Sequence, residues 1–344
     1  MASGVKSRSL FHLILSLVSL TFLVGATFFL VRELRALSIE EVFHTINSIS
    51  YKKLTAAIIL CFANYLIMIG YDWIGLRYAG VNLPFRKIAL TSIVGDTLNN
   101  NLGLSAVGGS TIKFRFYSSL GVGASSIARA IGFYTIGYWL GFSFLSSISF
   151  LYFFPQITVL ENWGKAIQIV ISILLMLPVA FFTVLVFQKK IKKVSLGKFH
   201  IDIPRPAKGL SVLLVGIIDW TCTGVMFYLL MPQSAFRDVF KFVSIYVISH
   251  IAGMASQVPG GIAVFESAAV LMNGGNTTVT LMASLLMFRV LFFIAPFIIG
   301  LCGFFYFEVK LGHRLLFRRK DNFVKPDNVI IGNQSTTSGN ISAQ

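Results

Sequence analysis

Acidic side chains are scarce in this chain. Only 13 Asp and Glu stand against 29 Lys and Arg in 344 residues, and charged residues make up 12% of the whole. With 56% hydrophobic residues and a mean hydropathy of +0.79, the composition excludes a soluble globule. Too many apolar stretches exceed the roughly 18 residues that mark a transmembrane helix. Cysteine is rare as well. Cys61, Cys222 and Cys302 all fall in apolar segments with no CxxC or Cys/His spacing, which argues against a disulfide framework or a zinc site and for small core residues. Five histidines are present, and no GxSxG, HExxH, HxxxxD or Walker sequence occurs. ATP-driven pumping by this chain is excluded, and no catalytic residue, metal ligand or cofactor is assigned.

What the chain does contain is a pair of glycine-interrupted apolar segments. QVPGGIAVFE runs from Gln257 to Glu266, and AVGGSTIKFR runs from Ala106 to Arg115, 152 residues upstream. Aligning Gly108 with Gly260 and Gly109 with Gly261 also sets Gly103 opposite Ala255 and Leu104 opposite Ser256. Paired Gly/Pro-interrupted hydrophobic segments in two halves point to a transport site in an inverted-repeat membrane protein. Gly-Gly is also common in turns, so two ordinary loops at the bilayer surface are the alternative.

Six full spans are expected, at about 10–31, 54–74, 127–153, 166–187, 209–231 and 278–307. The first follows Lys6 and Arg8 without a small-residue cleavage site, and is expected to be a retained helix rather than a signal. The glycine segments, about 88–110 and 242–272, could each cross once or return as a hairpin. With hairpins, one side of the membrane receives 20 Lys and Arg in its loops and the other 7, the positive-inside pattern with both termini cytoplasmic. Single crossings would send QKKIKKVSLGKFHIDIPRPAK outward, so loop charge favours hairpins. Their turns are expected at Gly108, Gly109, Pro259, Gly260 and Gly261, with Asn99, Asn100, Asn101, Ser105, Ser249, His250, Ser256 and Gln257 satisfying freed backbone groups. Broken backbone at membrane depth requires protein or a watery cavity around it.

The expected fold is therefore all-α: six full spans plus two re-entrant helical hairpins, about eight helices by hydropathy. Residues 1–310 form one membrane domain, with repeat one at 10–153 and repeat two at 166–307 in inverted topology. Residues 36–53 resemble a short interfacial helix, and 311–344 form a basic, then disordered, cytoplasmic tail. The net charge of +16 is explained by orientation and attraction to anionic headgroups rather than by nucleic acid, for which no motif is present.

Ionisable residues at membrane depth are costly, by about 2.5–3.5 kcal/mol on insertion scales, and are usually functional. Arg289 and Asp219 lie deep in their spans. Arg129 lies two residues into its own and could instead snorkel. Glu266 opens the second arm of the outer hairpin, Asp96 sits inside the inner one, and Asp72 near a span end could be an interface residue. The economical arrangement pairs these acids with Arg289 and Arg129. Lys113, Arg115 and Arg129, interleaved with Phe114, Phe116 and Tyr117, are expected at the cytoplasmic leaflet. There they would hold a phosphodiester or serve as a plain basic flank.

Several strings together resemble one family. They are Tyr71-Asp72-Trp73, Val107-Gly108-Gly109 with Arg115-Phe116-Tyr117-Ser118 and Leu120-Gly121, Trp139-Leu140-Gly141, Pro259-Gly260-Gly261 with Val264-Phe265-Glu266, and Arg289-Val290-Leu291 before Pro296. From about residue 10 to 310 the chain resembles the membrane region of the lysylphosphatidylglycerol synthase/flippase family (the multiple peptide resistance factor), especially its free-standing bacterial inner-membrane relatives. The resemblance implies a lipid-translocating or lipid-handling domain whose partners are membrane phospholipids. It carries site roles to Asp72, Arg115, Arg129, Glu266 and Arg289. Fused members add a soluble transferase, and the 37 residues after Phe307 are too few to hold it. The expectation is therefore a non-enzymatic flippase-like transporter. The alternative is a non-transporting partner of separate lipid- or glycan-modifying enzymes. No oligomer is read from the pattern.

Overall fold

A computed structural model describes residues 49–102, 108–153, 164–188, 193–196, 199–231, 239–255, 264–272 and 279–321. The first expected span, 10–31, lies outside the described residues, as does most of the interfacial segment 36–53. Ten α-helices are described. They are α1 (Tyr51–Tyr78), α2 (Phe85–Leu102), α3 (Gly108–Ser119), α4 (Ala124–Ile148), α5 (Lys165–Phe187), α6 (Pro206–Leu230), α7 (Val239–Ala255), α8 (Val264–Met272), α9 (Val279–Arg289) and α10 (Ala295–Asp321). Five helical stretches are long and apolar enough to span a membrane: Tyr51–Tyr78, Ala124–Tyr152, Lys165–Phe187, Pro206–Leu230 and Ser284–Val309. They match the other five expected spans, and the membrane-embedded part is all-helical.

Local chemistry sets several boundaries. α1 and α3 both end on a glycine with positive φ, Gly80 at 78° and Gly121 at 88°. In each case the following residue reaches back five positions, Val81 N–H to the Leu76 carbonyl and Val122 N–H to the Tyr117 carbonyl. That is the Schellman ending, which glycine adopts without a Cβ penalty. α6 begins with Pro206, whose missing N–H costs nothing in a first turn. The basic loop between α5 and α6 carries two short antiparallel strands, β1 (Lys193–Leu196) and β2 (Phe199–Asp202), with Lys193 opposite Asp202. Sequence reading had placed only a loop there.

The chain divides into two compact units, Met1–Phe304 and Phe305–Gln344; α10 runs from the first into the second, where it continues to Asp321. Within the first unit α6 is central. Half of its most apolar stretch is buried, against 17% for α5, whose Ile169, Leu174, Phe181 and Phe187 face outward. An exposed apolar face of that size suits a lipid surface. α4 and α6 meet backbone to backbone. Gly137 and Gly141 on α4 face Gly216 on α6 so closely that a Cβ on either side would collide with the opposing main chain. Small residues four apart permit such crossings where no hydrophobic effect drives helices together. Between α4 and α5, Ser147 and Ser172 donate to each other's carbonyls at 2.8 Å.

Two helices are interrupted by π segments, Ser149–Phe153 after α4 and Val290–Ile294 between α9 and α10. A π turn disturbs the i→i−4 ladder and frees carbonyls. Here α1 supplies donors for the second segment. Cys61 Sγ donates to the Leu291 carbonyl and Tyr65 OH to the Phe292 carbonyl, each at 3.3 Å. Cys61 is buried as expected, whereas Cys302 lies on an exposed face.

The two glycine segments each separate a pair of helices that pack on one another, α2 with α3 and α7 with α8. In the first pair α2 ends at Leu102 and α3 opens on Gly108 and Gly109; residues 103–107 lie outside the described residues. Pro259, Gly260 and Gly261 lie outside the described residues. The first pair has 18 residues in α2 and 12 in α3. α2 starts in the interfacial sequence Phe85-Arg86-Lys87, and α3 continues through Lys113 and Arg115 because these side chains find partners inside the protein.

Candidate functional site

The largest departure from expectation is Lys113. It is 2% exposed, in the middle of α3 rather than at the cytoplasmic leaflet. Its Nζ lies 2.7 Å from Asp96 Oδ1 on α2 and 2.9 Å from Asp72 Oδ2 on α1. The Tyr134 ring of α4 covers it at 4.6 Å, a cation–π contact strengthened by desolvation. Ser92 Oγ donates to Asp96 Oδ2 at 2.7 Å. Two acids therefore face one amine, and the cluster carries a formal charge of −1. Asp72, which could have been an interface residue, is buried at 2%. Gly95 makes the arrangement possible, since a Cβ there would stand 2.5 Å from Lys113 Cγ.

A second buried pair joins α8 to α9. Arg289 Nε donates to Glu266 Oε1, and the Phe293 ring lies 6.0 Å from the guanidinium. Glu266 Oε2 is buried without a hydrogen-bond partner. Arg289 is the last residue before the π segment. The expected pairing of a hairpin acid with Arg289 is thus present in the structure. Arg129 is exposed and donates to Ser126 Oγ at 3.4 Å, as a snorkelling residue would. Arg115 is buried at 8% on α3.

Asp219 stands apart from both ion pairs. It sits on α6 at 4% exposure and is held by α1. Asn64 Nδ2 donates to Asp219 Oδ1 at 2.6 Å, and Tyr71 OH donates to Oδ2 at 3.3 Å. Asn64 Nδ2 also donates to Thr223 Oγ1 at 3.0 Å, while Thr223 donates to the Asp219 carbonyl. Sequence reasoning gave no site role to Asn64, Tyr71, Tyr134 or Ser92 because, apart from the polar residues flanking the glycines, it weighed only charged groups. Asn64 could have been found, since an amide in the middle of an apolar span is itself costly.

Behind these groups lies an aromatic core in which Trp220, Phe142, Tyr246, Phe227, Phe265 and Phe288 meet. His250 packs edge-on to Trp220, with ring centres 4.8 Å apart. Asn100 Nδ2 and Ser249 Oγ have no hydrogen-bond partner among the described residues. Among the described residues no group of His, Cys, Asp and Glu has the arrangement of a metal site.

Spanning apolar helices with buried charge on interrupted helix pairs define a polytopic helical membrane protein. The model for the lysylphosphatidylglycerol synthase TM region matches residues 14–300, and the chain belongs to that family. Inner membrane protein YbhN of Escherichia coli is 26% identical over 307 residues, covering 88% of this chain and 95% of that protein. An uncharacterized Synechocystis protein is 27% identical over 267 residues, 75% of this chain and 80% of the other. The phosphatidylglycerol lysyltransferase of Bacillus subtilis is 23% identical over 295 residues, but these are 34% of that enzyme's length.

Proposed function

We propose that this chain is a flippase-like carrier that moves a phospholipid headgroup past the buried charges of its two interrupted helix pairs while the acyl tails stay in lipid. The observation that carries the proposal is the placement of Lys113, Asp72 and Asp96 on one side of the sequence repeat and Glu266 with Arg289 on the other. Charge buried at membrane depth is expensive, and it persists where a polar cargo or ion must pass. The two pairs are proposed as re-entrant hairpins of inverted repeats, entered from opposite faces, with rocking of the halves exposing the site alternately. Both termini are placed in the cytoplasm of a bacterial inner membrane. Moving Lys113 and Arg115 from loop to interior still leaves 18 basic loop residues against 7.

Phosphatidylglycerol and its lysyl ester are the first lipids to try, because the matching lysyltransferases act on that class. A headgroup phosphate would be taken by Arg289 or Arg115, and a cationic ester by the surplus acid beside Lys113. No catalytic role is proposed for the chain. Its match to only a third of the lysyltransferases favours one other reading, a membrane partner that works with a separate enzyme. Reconstitution into liposomes with a fluorescent phosphatidylglycerol distinguishes the two. The carrier produces transfer above empty vesicles with the purified chain alone, whereas no transfer under any gradient would leave only the partner role.

A further inference from the structure

We propose that Asp219 is a proton-binding site through which lipid movement is driven, a role distinct from the headgroup contacts. The proposal rests on the carrier reading. Asp219 is buried between α1 and α6, and among the described residues its carboxylate meets only neutral donors, Asn64 and Tyr71. The described elements around it bring no cation to it. α1 contributes Tyr71 and, on its far side, Asp72, which is held by Lys113. α2 contributes Asp96 and α4 contributes Tyr138, while Cys222 lies on α6 itself. α7 contributes Tyr246 and His250. α5 carries no titratable side chain after Lys165, and the Arg289 of α9 is engaged by Glu266.

The donor geometry selects a proton over a metal cation. Thr223 Oγ1 donates to the Asp219 carbonyl, so its oxygen is left to accept, and this fixes the Asn64 amide with its NH2 toward Thr223 and Asp219. An NH2 and a phenol aimed at the carboxylate would repel a metal ion. A proton needs no such space. It adds to Oδ2, and the Tyr71 hydroxyl turns from donor to acceptor. The charged and neutral forms thus keep the same neighbours and differ by one unit of charge at the contact between the two halves of the chain.

The Lys113 cluster adjoins this site. Tyr71 and Asp72 are successive residues, so one stretch of α1 touches both Asp219 and the Lys113 cluster. In that cluster the Asp96 side chain retains 16% exposure. The Tyr71 and Tyr134 rings lie 6.2 Å apart and close the gap between the two groups. The neutral form suits sliding of α6 past α1, because no charge is then left in a low-dielectric seam. The ionised form holds the seam fixed to its donors.

The test uses the full chain in liposomes, with two readouts. Infrared spectra in acidic and alkaline buffer should contain a carboxylic-acid carbonyl band that disappears on ionisation and is missing from Asp219→Asn. In Tyr71→Phe, which keeps Asp219 but removes a donor to its charged form, that band should persist to higher pH. Fluorescent phosphatidylglycerol transfer should accelerate under an imposed pH gradient of one sign, and Asp219→Asn should lose the acceleration. Spectra in which no titrating band depends on Asp219 overturn the proposal. So does gradient-independent transfer by the unaltered chain, which leaves the carrier standing. An unaltered chain that moves no lipid under any gradient removes the carrier and its drive together, while the band still decides whether Asp219 binds a proton.

Discussion

Arg289 and Glu266 are the pair for which a residue-level test is simplest. Removing one partner of a buried ion pair leaves an uncompensated charge and costs about 3–5 kcal/mol. Arg289→Ala should therefore lower the thermal midpoint in detergent sharply, and the double change Glu266→Ala with Arg289→Ala should recover most of that loss. Equal loss in the single and double variants would show that the two side chains are not coupled. The Lys113 cluster gives a sharper contrast. Lys113→Met leaves Asp72 and Asp96 facing each other and should be similarly destabilised. Adding Asp72→Asn and Asp96→Asn removes the repulsion, so stability should return while lipid transfer does not. Restored transfer in that neutral triple variant would detach these charges from function. The Arg289–Glu266 pairing was legible in the sequence because both residues interrupt apolar surroundings. Lys113 was not, because KFRFYSS has the composition of a headgroup flank, and hydropathy cannot distinguish a lysine in lipid headgroups from one enclosed by acids on other helices.

At the scale of elements, the α4–α6 crossing depends on three glycines. Gly141→Leu would drive a branched side chain into the Gly216 backbone and should abolish the monodisperse folded protein in size-exclusion chromatography. Gly132→Ala, on the same helix with nothing within 4 Å of the added atom, should cost little beyond noise. If both behave alike, close approach is not what holds the crossing. Gly121→Ala should cost about 1–2 kcal/mol through the left-handed conformation it forces on alanine. Five spans could be read directly because each exceeds the length and apolarity a bilayer demands. The β1–β2 hairpin could not, since four-residue strands among lysines have no stable periodicity. α3 ran past its expected end because its polar residues are paired inside the protein, a tertiary fact that no local window contains.

For the molecule as a whole, the proposed topology makes a prediction about sides. If α2–α3 is a re-entrant pair, the start of α4 and the start of α6 face the same compartment, and the α4–α5 connection faces the other. Ser125, Arg205 and Gly164 are exposed at those three places. Single cysteines introduced there, after replacement of Cys61, Cys222 and Cys302, can be probed with a membrane-impermeant maleimide in intact and permeabilised cells. Gly164→Cys should react from outside in intact cells, whereas Ser125→Cys and Arg205→Cys should react only after permeabilisation. α4 and α5 each cross once, so Ser125 and Arg205 share a side whether or not α2–α3 returns. The discriminating position is therefore before the pair. A cysteine at exposed Arg77, at the end of α1, must label with Ser125→Cys if the pair is re-entrant, and from the opposite side if it crosses. Opposite labelling would make repeat one a different topology from the one proposed, and the opposed site on which headgroup transfer depends would have to be redrawn.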